Sequence, residues 1–397
     1  MNHARRPHRL SRRASAVALS TLFVLLFAAG CKPAPVAALT PQEKLNMDRL
    51  TQDPVTRCIG RYLIDVPRHM VPQARWDQTS TETVGHYRDG VSVSVKPMER
   101  RAFDAALLGR HEELKAARFD ASPEWGSILA SATPVGTDVS PAMLFDAAAG
   151  PSIRAARRLE IFGWKDGYLI SATIEGTDLS YPEDRNEPLF KGLTGDVPRK
   201  LAELQGVYAR VRGRAEAEVP TDPGICIHNG FVSDTGRPAK EKDYSVREIW
   251  YSTEVRGLVL YASSGQIGGG EDTLLDRVRK VEPMEIKDDP LFRTLRKQTR
   301  TDAGEPFDEW LAAVRTDARI RGHRFLAEGH SLDSELRKPF FTMKLFNGED
   351  ELQPPDPKDP DQYNMRPPLE KAPLTEAEAV GLWDVVTKTL RLRAGAF

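Results

Sequence analysis

The chain has 397 residues, enough for two domains and a leader. Hydrophobic residues at 40% and charged residues at 28% exclude wholesale disorder. The formal net charge of −1 hides an asymmetry: Arg5, Arg6, Arg9, Arg12 and Arg13 sit in an acid-free first thirty residues, so beyond them 51 Lys+Arg face 57 Asp+Glu, a net charge of −6, which argues against nucleic acid as the main ligand.

Residues 1–30 read as an export signal. Five arginines precede a mostly apolar run from Ala16 to Ala29, shorter than the about 20 residues that a membrane-spanning helix needs. The run ends Ala28-Ala29-Gly30-Cys31, small residues directly before a cysteine. That pattern resembles a bacterial lipoprotein signal, with cleavage before Cys31 and lipid on its thiol. An ordinary signal peptide with an incidental cysteine is the alternative. The expected location is the periplasm, membrane-anchored, and Lys32 after the cysteine favours the outer membrane. Residues 31–53 hold Pro33, Pro35 and Pro41 without strong periodicity and read as a tether.

A first folded unit is expected over 54–215. It opens with a strand, Cys58 to Val66, ended by Pro67. Val91, Val93 and Val95 alternate with Ser92 and Ser94, the period of a half-buried strand. Residues 99–118 look helical, with Phe103, Leu107 and Leu114 on one face. Leu159 and Ile161 lead into Asp166-Gly167, a hairpin turn signal, and Tyr168, Ile170, Ala172 and Ile174 alternate on the return. A helix from about Pro198 carries Leu201, Leu204, Tyr208 and Val211 at helical spacing.

The turn-rich stretch from Arg212-Gly213 to Asp222-Pro223-Gly224 marks a boundary. A second unit over 219–397 opens with Ile225-Cys226-Ile227-His228. Strands are expected at 246–253 and 258–263, a helix over 271–283 with Leu274, Leu275, Val278 and Val281 inward, and further strands at Phe325-Leu326 and Phe340 to Phe346. The proline-rich stretch from Gln353 to Leu374 reads as an exposed loop. The last helix opens on a capping box, Thr375 and Glu378, and buries Leu382, Trp383, Val386 and Leu390. Both units are thus α+β, each a mostly antiparallel sheet with a few packed helices.

If Cys31 carries lipid, Cys58 and Cys226 remain, an even pair in an oxidising compartment. A disulfide and two buried free thiols are both open. Their spacing suits neither zinc nor thioredoxin-type chemistry, and no metal or cofactor site is expected. Gly329-His330-Ser331-Leu332-Asp333 misses the nucleophile elbow, because Asp333 stands where the turn needs glycine. His111-Glu112-Glu113-Leu114-Lys115 starts like a zinc-protease helix, but Lys115 replaces the second histidine. The glycine-rich run Gly265 to Gly270 lacks a P-loop Lys-Ser/Thr pair and reads as a turn. No catalytic residues are expected.

Three stretches carry a resemblance: Arg57 to Pro67, Gly224 to Phe231, and Leu374 through Leu382-Trp383-Asp384 to Arg391-Leu392-Arg393. Together, and in this order, they resemble the type VI secretion immunity proteins that neutralise a class-4 phospholipase effector. His228 stands where that family usually carries an acid. The resemblance implies a two-domain periplasmic lipoprotein, anchored to the membrane by its lipid, that binds one cognate phospholipase effector one-to-one and blocks access to its active site. Both domains are expected to grip the toxin, with no catalysis. Interface residues do not carry over, and partner-binding positions stay unknown at this level. Cys58, Gly60, Pro67, Leu382 and Trp383 are expected to serve folding rather than binding. Two other readings remain: an envelope adaptor lipoprotein with no enzyme target, and an envelope hydrolase without a familiar motif.

Overall fold

Antiparallel hairpins, laid side by side into one long sheet, make up most of the computed structural model. The structure describes residues 36–73, 82–84, 90–120, 122–234, 244–265, 272–301, 306–317, 319–329, 339–349 and 367–397. Residues 37–397 belong to one body. The stretch read as a tether contains a helix, α1 (Pro41–Leu50). It starts on a reciprocal cap between Thr40 and Glu43 and buries Met47 and Leu50.

The stretch from Cys58 to Val66, expected as a single strand, is part of a hairpin. β1 (Val55–Ile59) and β2 (Tyr62–Val66) pair with Ile59 opposite Tyr62. The turn is Gly60-Arg61, and Gly60 has φ +56°, the left-handed region that glycine reaches without strain. Short strands β3 (Met70–Pro72) and β4 (Glu82–Val84) follow, then β5 (Val91–Pro97), whose Val91, Val93 and Val95 are buried as the alternation requires. Helix α2 (Arg100–Ala116) buries Phe103 and Leu114. Strands β6 (Leu129–Pro134), β7 (Ala142–Ala148), β8 (Ala156–Lys165) and β9 (Tyr168–Thr177) form a meander. β8 and β9 join at Asp166-Gly167, both with positive φ, as a two-residue hairpin turn demands. After a short helix α3 (Pro182–Asn186), α4 (Val197–Arg210) buries Lys200, Leu204 and Val207. The inward stripe is thus rotated by one position from the expected Leu201 and Tyr208, and Val211 already belongs to the next strand.

That strand is β10 (Val211–Gly213), which pairs with β12 (Gly230–Ser233) beside β11 (Gly224–Ile227). β13 (Tyr244–Ser252) and β14 (Leu258–Gly265) form the next hairpin. Helix α5 (Leu274–Asp288) opens on a Thr273–Asp276 capping box. It runs five residues beyond the expected end at Pro283, whose ring lies on the exposed side. β15 (Arg293–Arg300), β16 (Phe307–Arg315), β17 (Arg321–Gly329) and β18 (Phe340–Asn347) complete the second meander, and α6 (Glu376–Thr387) and β19 (Arg391–Leu392) close the chain.

The sequence does not announce β15, because Arg293–Arg300 is almost entirely polar. The structure shows what its charges do. Arg296 donates to Asp384 of α6 at 2.5 and 3.0 Å, and Arg300 donates to Asp384 and to Thr387 Oγ1, each at 2.9 Å. Glu309 of β16 is fully buried and accepts from Trp383 Nε1 at 2.9 Å. The C-terminal helix is therefore fixed both by its apolar stripe and by a charged strand beneath it.

The two meanders share one thirteen-stranded sheet, in the order β15-β16-β17-β18-β14-β13-β4-β5-β9-β8-β7-β6, with β3 also on β13. The joint is narrow: Tyr244 faces Val84 and Ser245 faces Thr83. Every pairing is antiparallel. No helix among the described residues is long and apolar enough to cross a membrane.

Candidate functional site

The three stretches that carry the sequence resemblance meet at one place, and it is a structural hub. Cys58 and Cys226 form a disulfide with Cα atoms 5.7 Å apart across 168 residues of chain. Gly60 and Cys226 exchange backbone hydrogen bonds at 2.8 and 2.9 Å. β19 adds to β2, making a three-stranded sheet from opposite ends of the chain. Arg61, 1% exposed, lies between the rings of Tyr244 and Phe397. It pairs with Asp234 at 2.8 Å and donates to the carbonyls of Gly224 and Ala396. Arg393 donates to Pro220, Asp222 and Gly224 carbonyls, and burial pulls its pKa down to about 10. Arg214 gathers the carbonyls of Gly230, Glu218 and Ile227. Three buried guanidiniums thus supply the donors that this loop-rich region lacks. A Cβ at Gly60 would meet Ser264 and Tyr244 at 2.7 Å, so this position serves close packing as well as the turn.

A surface with room for a ligand lies elsewhere among the described residues, on the solvent-facing side of the first meander. A cleft of about 970 Å³ runs over Ser92, Ser94 and Lys96 of β5, Ser171, Thr173 and Glu175 of β9, and Arg158, Glu160 and Phe162 of β8. The same alternation that buries the valines of β5 presents its serines here. α2 forms a wall through Arg110 and Glu113. Arg110 donates to Glu160 at 2.8 and 2.9 Å and to Glu113 at 2.9 Å, and the other Glu160 oxygen accepts from Ser171. Burial opposes the Arg110 charge, but Glu160 and Glu113 outweigh it and hold its pKa above the ordinary arginine value. Within the cleft the Ser171 hydroxyl is tied to the Glu160 carboxylate, which also holds Arg110. Charged walls of both signs suit a polar macromolecular surface better than the mostly apolar pocket of a small ligand.

Nearby in sequence, a second surface has interface character. Arg154 stacks on the half-exposed rings of Trp125 and Tyr181, 4.4 and 3.6 Å from their centroids. Asp184 holds its guanidinium at 3.1 Å, and Phe119 supports Trp125 edge-on. Rigid Trp, Tyr and Arg side chains held in place by neighbours are the residue types that dominate binding energy at interfaces.

A third cluster joins Glu216, His228 and Glu248. Nδ1 of His228 lies 3.1 and 3.2 Å from the Glu248 carboxylate oxygens and 3.4 Å from Glu216 Oε1, while Arg57 holds Glu216 Oε2 at 2.6 Å. These residues come from a linker, a turn and a strand, so no motif spacing announces them.

His111 of α2 is partly buried against the Phe145 ring and has no partner histidine on its helix. Cys31, Gln266 to Gly270, His330 and Ser331 lie outside the described residues, as does most of the proline-rich stretch.

Two family models match the chain in order. Residues 55–214 match the Tle cognate immunity protein 4 N-terminal domain, and residues 218–395 match the C-terminal domain of the same protein. The chain belongs to the Tle cognate immunity protein 4 family. Its fold is similar to that of the apo immunity protein TplEi of the type VI secretion system of Pseudomonas aeruginosa, 18% identical, over 88% of this chain and 99% of that one, with a TM-score of 0.61. It is equally similar to a chain of the Tle4–Tli4 complex, 19% identical over 87% of this chain and 99% of that one, TM-score 0.61. TplEi complexed with a peptide called "L" matches at 19% identity over the same 87% and 99%, with a TM-score of 0.56. A search of curated proteins found no match. At these identities the structures speak for the fold, and the family match speaks for the immunity class.

Proposed function

We propose that this family member is a membrane-anchored envelope protein that binds a type VI secretion phospholipase effector one-to-one and inhibits it by occupying its surface, without catalysis of its own. The observation that carries this reading is the match of both immunity domains, in order, over 55–214 and 218–395. Similarity over nearly the whole length to a chain of the Tle4–Tli4 complex agrees with it. A polar cleft with charged walls of both signs, and a preset Trp125–Arg154–Tyr181 stack, suit the binding of a protein surface. The Cys58–Cys226 disulfide suits an oxidising compartment, and a leader cleaved before Cys31 leaves that residue to carry the lipid anchor, with Lys32 favouring the outer membrane.

The direct test titrates residual lipolysis of the cognate phospholipase effector with the purified chain from Lys32 onward. Inhibition should be complete at one equivalent, and a nanomolar dissociation constant, about −12 kcal/mol, is expected of a toxin antagonist. Ser331→Ala and His330→Ala should inhibit equally well. No inhibition at excess favours the adaptor reading, and inhibition lost with Ser331→Ala in a folded protein favours an enzyme. For the anchor, Cys31→Ser should move the protein out of the membrane fraction. A mature-sized variant still held there refutes lipidation at this residue.

A further inference from the structure

The Glu216–His228–Glu248 cluster has the composition and spacing of a transition-metal site. Its ligand atoms, one imidazole nitrogen and one oxygen from each carboxylate, all lie within 4.8 Å of one another. Tetrahedral zinc with arms of about 2.0–2.1 Å separates neighbouring donors by about 3.3–3.4 Å. His228 Nδ1 already stands 3.1 Å from Glu248 Oε1 and 3.4 Å from Glu216 Oε1. The Glu248 side chain is buried at 9% exposure and sits on β13, whereas Glu216 sits on the linker at 29%. Arg57 holds the far oxygen of Glu216, the kind of outer partner that orients a ligating carboxylate and leaves the near oxygen pointing at the site. Imidazole with two carboxylates suits zinc-class cations, while magnesium and calcium seek six or more oxygens.

The two carboxylates are already shared with guanidiniums, so a cation has to compete for them. Arg57 pairs with Glu216, and burial lowers the pKa of Arg214 while Glu216 and Glu248 offset part of that shift. The cation takes the place of the contacts that Nδ1 of His228 makes with Glu248 and Glu216.

We propose that Glu216, His228 and Glu248 bind one zinc-class divalent cation, with solvent completing its coordination, and that this cation pins the linker between the two immunity domains to strand β13. The site lies two residues from Cys226, so metal and disulfide brace the same hub. The proposal is independent of which effector is bound.

Isothermal titration of the chelator-stripped chain from Lys32 onward with zinc chloride at pH 7.5 tests it, with magnesium chloride as comparison. One equivalent of zinc should bind, magnesium should not compete, and the thermal midpoint should rise with zinc and fall back with chelator. His228→Ala and Glu248→Gln should each weaken binding by more than the roughly 10–100-fold that loss of an outer partner costs. Glu216→Gln lies on the partly exposed linker and spares the core, so it tests the site even if the Glu248 variant fails to fold. His111→Ala should bind as the wild type does. Absence of saturable zinc binding, or one-equivalent binding that survives His228→Ala and Glu216→Gln, overturns the proposal.

Discussion

Arg61→Met is the sharpest probe of the hub. The side chain is 1% exposed, and its guanidinium pairs with Asp234 at 2.8 Å in a site where Asp234 is itself only 9% exposed. Methionine keeps an apolar stem between Tyr244 and Phe397 but removes the charge and the donors to Gly224 and Ala396. Removing one member of a buried ion pair typically costs about 3–5 kcal/mol, because the remaining charge stays desolvated. Arg49–Glu254 is the control: its side chains are 52% and 48% exposed, and Arg49→Ala should cost roughly 0–1 kcal/mol. Urea unfolding followed by the fluorescence of the buried Trp250 and Trp383 reads both variants. Adding Asp234→Leu to Arg61→Met should recover part of the loss, since the desolvated carboxylate goes with it. A cost below about 1 kcal/mol for Arg61→Met, equal to that of Arg49→Ala, would refute the view that the resemblance motif is structural.

Two further outcomes follow from buried groups. His323 is held neutral: burial lowers its pKa from 6.5 to about 4, and its Nδ1 accepts from the Asn347 amide at 2.8 Å. Because the unfolded chain takes up this proton below pH 6.5 and the folded chain only near pH 4, stability falls as pH drops through that window, by about 3 kcal/mol for this residue. His323→Gln should lose less stability than wild type between about pH 7 and pH 4 in urea titrations; an identical loss rejects the assignment. Non-reducing mass spectrometry of the exported chain should recover one peptide linking Cys58 to Cys226, and replacing both with alanine should cost about 2–5 kcal/mol; two free thiols would remove the bridge.

What the sequence reveals depends on whether a pattern is local. The Val91–Val95 alternation, the Asp166-Gly167 turn and the Thr375–Glu378 cap are each written within a few residues, and each appears where the sequence places it. β15 escapes a sequence reading because its arginines find their acids on α6, far along the chain. The β1–β2 hairpin reads as one strand because Gly60-Arg61 interrupts an otherwise continuous apolar pattern by only two residues. The charged cleft and the Glu216–His228–Glu248 cluster are invisible for the same reason as β15: their members are gathered by sheet topology rather than by spacing. The resemblance motifs are legible as a set, and the structure explains why they travel together, since they touch one another.

That convergence changes what dividing the chain would test. Fragment 54–215 keeps the β5-β9-β8-β7-β6 meander, and fragment 219–397 keeps β13 to β18. Each should therefore fold in its centre. The seam fares differently. The first fragment loses β19 from β2, β13 from β3 and β4, β12 from β10, and Cys226 from Cys58. What remains of each three-stranded seam sheet is at most a two-stranded hairpin, which is marginal alone in water. α6 also loses the cover of α1, which neither fragment contains. Hydrogen exchange should accordingly show the amides of 55–66 and 224–233 protected in the intact chain and exchanging freely in the fragments, while those of β8 and β17 stay protected in both. Mixing the two fragments under oxidising conditions should restore the seam and form the Cys58–Cys226 link. Protected seam amides in an isolated fragment would show that the halves are self-sufficient. Weak inhibition by a fragment would then measure the loss of a second gripping surface. With an unprotected seam, the same weak inhibition measures a broken hub, and avidity between domains has to be tested by surface substitutions on the whole chain instead.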